Sequence, residues 1–198
     1  MPVTKTTTIN LSAPKTRGTS SLEEVLVERR SIRELDTPPL TWDEIGQLLW
    51  AAQGISGEDG LRTTPSAGAL YPLELYVATG EGVFHYRPAS HAVVHTMADD
   101  VRVALRKASL DQSCMAAPCV VVFAAVVERV TQKYPEVGDI CVKLEVGHAC
   151  QNLLLQVTAL GLAAVPVAAF YPRRLREILQ LPDDHEVMYL VPVGRAQA

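Results

Sequence analysis

Arg29, Arg30, Ser31 and Arg33 stand within five positions of one another. Three guanidinium groups and a hydroxyl at that spacing offer planar forks of donors and positive charge, the chemistry that holds a phosphate or a carboxylate. The same residues would also serve as a solvated helix end that satisfies the helix dipole, and spacing alone leaves both readings open. The chain around them is acidic, with 198 residues and a formal net charge of −4. A basic cluster in such a chain is local. The overall charge argues against nucleic acid or an anionic membrane as a general partner.

Two other stretches could meet a ligand through backbone. In "TTPSAGALYP", residues 63–72, Gly68 permits close approach and Pro65 and Pro72 stiffen the flanks. Such a loop entering a strand suits a flat ligand; by itself it is more simply a plain connector. In "AAVPVAAF", residues 163–170, Pro166 removes a ladder donor from an apolar strand. The small Ala168 and Ala169 would leave their N–H groups open. Metal chemistry finds little support. His91 and His95 are too far apart on a strand for one ion. Cys141, Glu145 and His148 share a helix face, but a di-iron site needs a second Glu-x-x-His and none occurs. His148 reads as a core histidine. No Walker loop, GxGxxG fingerprint or GxSxG elbow is present.

The elements that would carry these residues follow from pattern. Residues 20–31 read as a helix capped by Ser20 or Ser21 and closed by the arginines. Residues 41–54 form a second helix, with Thr41 and Glu44 at capping-box spacing and Gly54 as a left-handed terminator. "LELYVAT", "VFHY" and "HAVVHT" read as a meander of strands, turning at residues 80–82 and 88–90. Residues 98–110 are helical, and "APCVVVFAAVV" is a strand buried on both faces. Residues 138–161 make the longest helix, stopped by Gly161. Its second half is apolar on nearly all sides and calls for cover beyond one sheet, supplied most simply by a second copy. A strand at 163–170, a helix at 172–181 and a last strand at 186–194 complete an α+β fold.

Residues 1–20, rich in Thr, Ser and Lys, read as an exposed, extended arm, and 21–198 as a single domain. The arm lacks a signal-type apolar core, and no stretch is long enough to span a membrane. Cys114, Cys119, Cys141 and Cys150 form no CxxC pair. They read as reduced, buried thiols of a cytoplasmic protein.

"ERRSIREL", "LLWAAQGIS", "RTTPSAGALYPLELYV", "KYPEVGDICVKLEVGHACQNLLLQVTALGL" and "YLVPVG" together resemble the nitroreductase family, in its SagB-type branch of azoline dehydrogenases. The resemblance runs from about Ser21 to Arg195. It implies a mostly antiparallel sheet flanked by helices and an intertwined homodimer in which both copies build each FMN site. It implies phosphate contacts from Arg29, Arg30, Ser31 and Arg195 after Gly194. Arg33 would face the N1–O2 edge, where a cation stabilises reduced flavin. Pro65, Ser66, Ala67, Gly68 and Leu70 would form the loop along the ring from the other copy. Pro166, Val167, Ala168 and Ala169 would face N5. Lys133 and Tyr134 resemble the pair that abstracts the Cα proton of an azoline, and "KYPEV" reads equally simply as a plain surface turn. The following Gly-x-Arg-x-Tyr of that branch is degraded here to "PEVGDICV", and Ala69 stands where many nitroreductases carry Asn. The implied activity is ping-pong hydride transfer on a small-molecule or peptide-heterocycle substrate, with NAD(P)H as a possible reductant. A generic NAD(P)H-dependent nitro or quinone reductase, or a non-catalytic flavin-binding dimer, fits the same residues.

Overall fold

The computed structural model describes residues 7–197. A single antiparallel sheet organises the chain. Its strands are β1 (Thr8–Asn10), β2 (Leu73–Thr79), β3 (Gly82–Arg87), β4 (Ala92–Met97), β5 (Cys119–Ala125), β6 (Ala163–Ala164) and β7 (Glu186–Gly194), in the order β1-β4-β3-β2-β5-β7-β6. Every residue of β5 is buried, and its alternation divides the core. Cys119, Val121, Phe123 and Ala125 face one apolar cluster, while Val120, Val122 and Ala124 face the other. That period of two is what a strand covered on both faces requires.

The first cluster is covered by α2 (Trp42–Gln53) and α5 (Gly138–Ala159), the second by α3 (Arg102–Ala108) and α6 (Pro172–Leu179). Two short helices, α1 (Leu22–Glu28) and α4 (Glu128–Thr131), complete the set. The expected α+β architecture, a sheet between helices, is therefore present. Both expected N-termini carry reciprocal capping boxes. Ser21 N donates to Glu24 Oε2 at 2.7 Å and Glu24 N to Ser21 Oγ at 3.2 Å; Thr41 and Glu44 repeat the pattern.

Several local expectations are corrected. The arginines do not close α1; it ends at Glu28, and Arg29 already has an extended ψ of 119°. Gly54 ends α2 in an extended conformation (φ −69°, ψ 155°), and glycine is needed there for space. A Cβ would lie 2.1 Å from Trp50 Cδ1. The strand expected over 163–170 shrinks to two residues and a bridge between Val167 and Leu190, because Pro166 interrupts the ladder. His148 is exposed, and Cys141 is only half-buried. The apolar second half of α5 is covered largely from within the chain, with Leu153, Leu154 and Val157 buried and Gln156 bonded to Gln47 of α2 at 3.1 Å. The exposed apolar residues, Ile140 and Leu144, lie in its first half.

Part of the N-terminal arm is structured. β1 pairs with β4, and Lys15 N donates to Gln47 Oε1 at 2.8 Å. Residues 1–6 of the arm and residue 198 lie outside the described residues. Among the described residues no helix is long and apolar enough to cross a membrane.

Candidate active site

Beyond α1 the chain runs extended because Ile32 and Leu35 pack with Ala117 and Ala163. Ile32 N donates to Ala164 O at 3.0 Å, Asp36 N donates to Arg195 O at 2.8 Å, and Leu35 pairs with Ala196. The basic segment is thereby laid beside β6 and the end of β7, which carries Gly194 and Arg195. Arg29 is half-buried; Arg30, Ser31 and Arg33 are exposed. Arg30 turns back on the helix end, with Nη1 donating to Val27 O at 2.7 Å and Arg29 O at 2.8 Å. Among the described residues no carboxylate lies within ion-pair distance of Arg29, Arg30 or Arg33. Arg195 pairs with Glu44 at 2.8 Å through Nη2, while its Nη1 is buried without a hydrogen-bond partner.

Pro166 to Ala169 follow along the same edge. Val167 exchanges hydrogen bonds with Leu190 at 2.8 and 3.1 Å. Ala168 and Ala169 are exposed, and among the described residues neither N–H has an acceptor. Ala168 lines a cavity of about 210 Å³ with Met188 and Tyr189 of β7 and Lys143, Val146 and Gly147 of α5.

Residues 65–70 make a tight turn around Ala67–Ala69. Gly68, Ala69 and Tyr71 all take left-handed backbone, with φ of 61°, 54° and 47°. Each non-glycine residue there costs about 1–2 kcal/mol, so the surroundings must over-determine the shape. They do so from several sides. Tyr71 N donates to Ser66 Oγ at 2.9 Å, and Arg62 N to Tyr71 Oη at 3.3 Å. The Arg62 guanidinium sits 4.5 Å over the Tyr71 ring and donates to Gln53 Oε1 at 2.7 Å. Arg129 of α4 donates to Tyr71 O at 3.1 Å and pairs with Glu74 at 2.6 Å, whose other oxygen meets His85 Nε2 at 2.7 Å. Burial would push the Glu74 carboxyl up, but hydrogen bonds from His85 and Arg129 overcome it and hold it down at about 2.

α4 leads directly into Lys133 and Tyr134, whose N–H groups both donate to Val130 O, at 3.1 and 2.8 Å. A Cβ added to Gly68 would lie 2.8 Å from Tyr134 Oη and 3.0 Å from Lys133 Nζ. The polar ends of the pair therefore lie over the loop, next to its exposed glycine.

The expected residues thus form two groups. Arg29, Arg30, Ser31 and Arg33 share one strip with residues 163–169 and with Gly194 and Arg195. Pro65, Ser66, Ala67, Gly68 and Leu70 share another with Lys133 and Tyr134. The loop enters β2 at Leu73, which pairs with Ala125 at one end of β5; Gly194 follows Val193, which pairs with Cys119 at the other. Seven strand residues separate those ends by roughly 20 Å. The residues fit an FMN. Uncompensated guanidiniums and an orphaned Arg195 Nη1 suit the phosphate, and free N–H groups at Ala168 and Ala169 suit a ring edge.

Sequence reasoning overlooked the supports beneath the loop: Gln53, Arg62, Glu74, Arg129 and, in this role, Glu145. A carboxylate or amide inside an otherwise apolar helix face was the available signal. Cys141, Glu145 and His148 do not converge, since Glu145 is buried and His148 is exposed. Among the described residues no group of His, Cys, Asp or Glu is arranged to hold a metal.

Comparison with known proteins agrees with this fold. A model of the nitroreductase family matches residues 26–195. The provisionally named nitroreductase MJ1384 of Methanocaldococcus jannaschii is 44% identical over 181 residues, covering 88% of this chain and 90% of that one. A crystal structure of a Ralstonia eutropha JMP134 protein with the same provisional name superposes with a TM-score of 0.86 at 29% identity, over 96% of this chain and 90% of that one. A corresponding protein of Anabaena variabilis gives a TM-score of 0.85 at 25% identity. It covers 97% of this chain and 42% of its own, longer chain.

Proposed function

The chain belongs to the nitroreductase family of oxidoreductases, and from that premise we propose that it is an FMN-dependent oxidoreductase acting as a homodimer. The observation that carries the reading is the strip of arginines at 29, 30, 33 and 195. In an acidic chain, three of the four have no carboxylate partner among the described residues, and the fourth has a buried, unpaired Nη1. When bound, FMN supplies a two-electron carrier that accepts hydride from one substrate and gives it to the next, in ping-pong order.

The residues divide the remaining work. Arg29, Ser31 and Arg195 would hold the phosphate, with Arg30 beside them. Arg33 would supply a fixed cation to the pyrimidine edge. Ala168 and Ala169 present backbone N–H groups. The 65–70 loop of the second copy would cover the ring and exclude water. Lys133 is the proton-moving group, with Tyr134 as its neighbour. An amine lying over Gly68 favours a dehydrogenase that removes a Cα proton, as in the SagB-type oxidation of azolines. NAD(P)H is the reductant in the alternative reading, a nitro or quinone reductase.

The test is direct. Purified protein is expected to carry, or to take up, one FMN per chain with its visible band. Anaerobic mixing with a panel of azolines and NAD(P)H should bleach that band with one donor class. Protein that takes up no FMN refutes the proposal. Bound FMN that no donor reduces leaves a binding protein in place of an enzyme.

A further inference from the structure

Behind the 65–70 loop lies a carboxyl that the chemistry above does not use. Glu145 sits on α5 with 2% exposure, and its Oε1 has no hydrogen-bond partner. Ser66, Arg62 and Gln53 face it. Gln53 is fully buried and has its own unpaired Nε2. On α5 itself, half-buried Cys141 lies one turn earlier and His148 points to solvent. Arg62 commits Nη1 to Gln53, and no cation lies within ion-pair distance of Glu145 among the described residues. A charged carboxylate in that position would be desolvated with no ion pair to offset the cost, whereas a carboxylic acid both donates and accepts.

Ser66 is the hinge of this arrangement. Its Oγ accepts from Tyr71 N, its carbonyl accepts from Ala69 N at 3.0 Å, and both partners hold left-handed backbone. With Oγ occupied as an acceptor on the loop side, its hydroxyl proton is left for the buried side. We infer that Glu145, as a neutral carboxylic acid beneath Ser66, is the positioning residue that fixes the 65–70 loop for its ligand. What the loop touches rests on the flavin reading; how it is held does not. The direction of titration is consistent: burial raises the Glu145 carboxyl, outweighing the opposing pull of Ser66, Arg62 and Gln53.

The experiment compares wild type, Glu145→Gln and Glu145→Ala as full chains. The first readout is hydrogen exchange of the Tyr71 amide, which reports the bond to Ser66 Oγ. Glu145→Ala is expected to speed it at least about tenfold, and Glu145→Gln, which keeps a neutral donor and acceptor, to stay within about threefold. The second is the FMN dissociation constant, expected to rise about tenfold for Ala and under about threefold for Gln. The third is thermal stability against pH. A folded-state pKa above the unfolded one means stability is lost as pH rises from about 4.5 toward the folded value, and Glu145→Gln should lack that loss. If Gln and Ala behave alike, or neither moves the Tyr71 amide, the inference is overturned. Should wild type bind no FMN, the proposed function falls, while amide exchange and the pH profile still decide the role of Glu145.

Discussion

Replacing Gly68 with alanine probes the contact on which the catalytic reading rests. Gly68 sits at φ 61°, and its missing Cβ would lie 2.8 Å from Tyr134 Oη and 3.0 Å from Lys133 Nζ. Two costs arise. The left-handed backbone costs an alanine about 1–2 kcal/mol. The steric cost is smaller, because both obstructing atoms end flexible side chains and can retreat by a few tenths of an ångström. With a steric cost of about 0.5–1 kcal/mol the total is about 1.5–3 kcal/mol, and for a chain of this size each kcal/mol lowers Tm by about 2–4 °C, so Gly68→Ala should melt about 3–12 °C below wild type.

A double-mutant cycle separates the terms. Tyr134→Phe removes the 2.8 Å obstruction and leaves the backbone cost in place. Gly68→Ala should therefore cost about 0.5–1 kcal/mol less in the Phe background than in wild type, read by thermal or urea unfolding. An unchanged Tm in Gly68→Ala would refute the left-handed assignment. An identical cost in both backgrounds would remove Tyr134 from the loop, and with it the structural reason for placing Lys133 near a flavin.

Other perturbations reach the remaining parts of the site. Arg195→Ala removes a charged donor from the phosphate strip and should weaken FMN binding roughly ten- to a hundredfold, by fluorescence titration, since charge-assisted hydrogen bonds contribute about 1.5–3 kcal/mol. Lys133→Ala should abolish azoline oxidation while leaving FMN affinity unchanged; undiminished turnover would exclude Lys133 as the base. Glu74, held down at about 2 by its partners, contributes stability that is present above about pH 4.5 and lost as pH falls toward 2. Glu74→Gln should therefore flatten the acid limb of a Tm-versus-pH curve over that window.

Pattern alone located the helices and strands well where side chains speak to backbone directly. Ser21 and Thr41 cap because the acceptor and the N3 carboxylate are both spelled out in sequence, and β5 alternates between two cores as its valines require. The end of α1 was less legible. Arginine is a good helix former, but the burial of Ile32 and Leu35 against Ala117 and Ala163, over eighty residues away, draws the segment into extended backbone. The loop supports were hidden for the same reason. Nothing local to Ser66 announces that Glu145, Arg62 and Gln53 will gather behind it. His148 reads as a core histidine because a histidine within an apolar helix usually is one, whereas its place on α5 lies toward solvent.

The two halves of the site, set at opposite ends of β5, bear on how a flavin could meet both. Each half has apolar surface beside it. Leu22, Leu26 and Val27 of α1 are 61%, 52% and 69% exposed next to the basic segment. Val137, Ile140 and Leu144 are 50%, 58% and 57% exposed on the stretch of chain that follows Lys133 and Tyr134. A two-fold pairing that covers both rims would set the loop of one copy against the arginines of the other, and symmetry would make two equal sites. Leu144→Arg places a charge on the second rim without touching either half. Sedimentation should then show a monomer, and FMN affinity should fall with dimer population across a dilution series. A monomeric variant that keeps wild-type FMN affinity would show that one chain suffices, and the shared site would have to be abandoned.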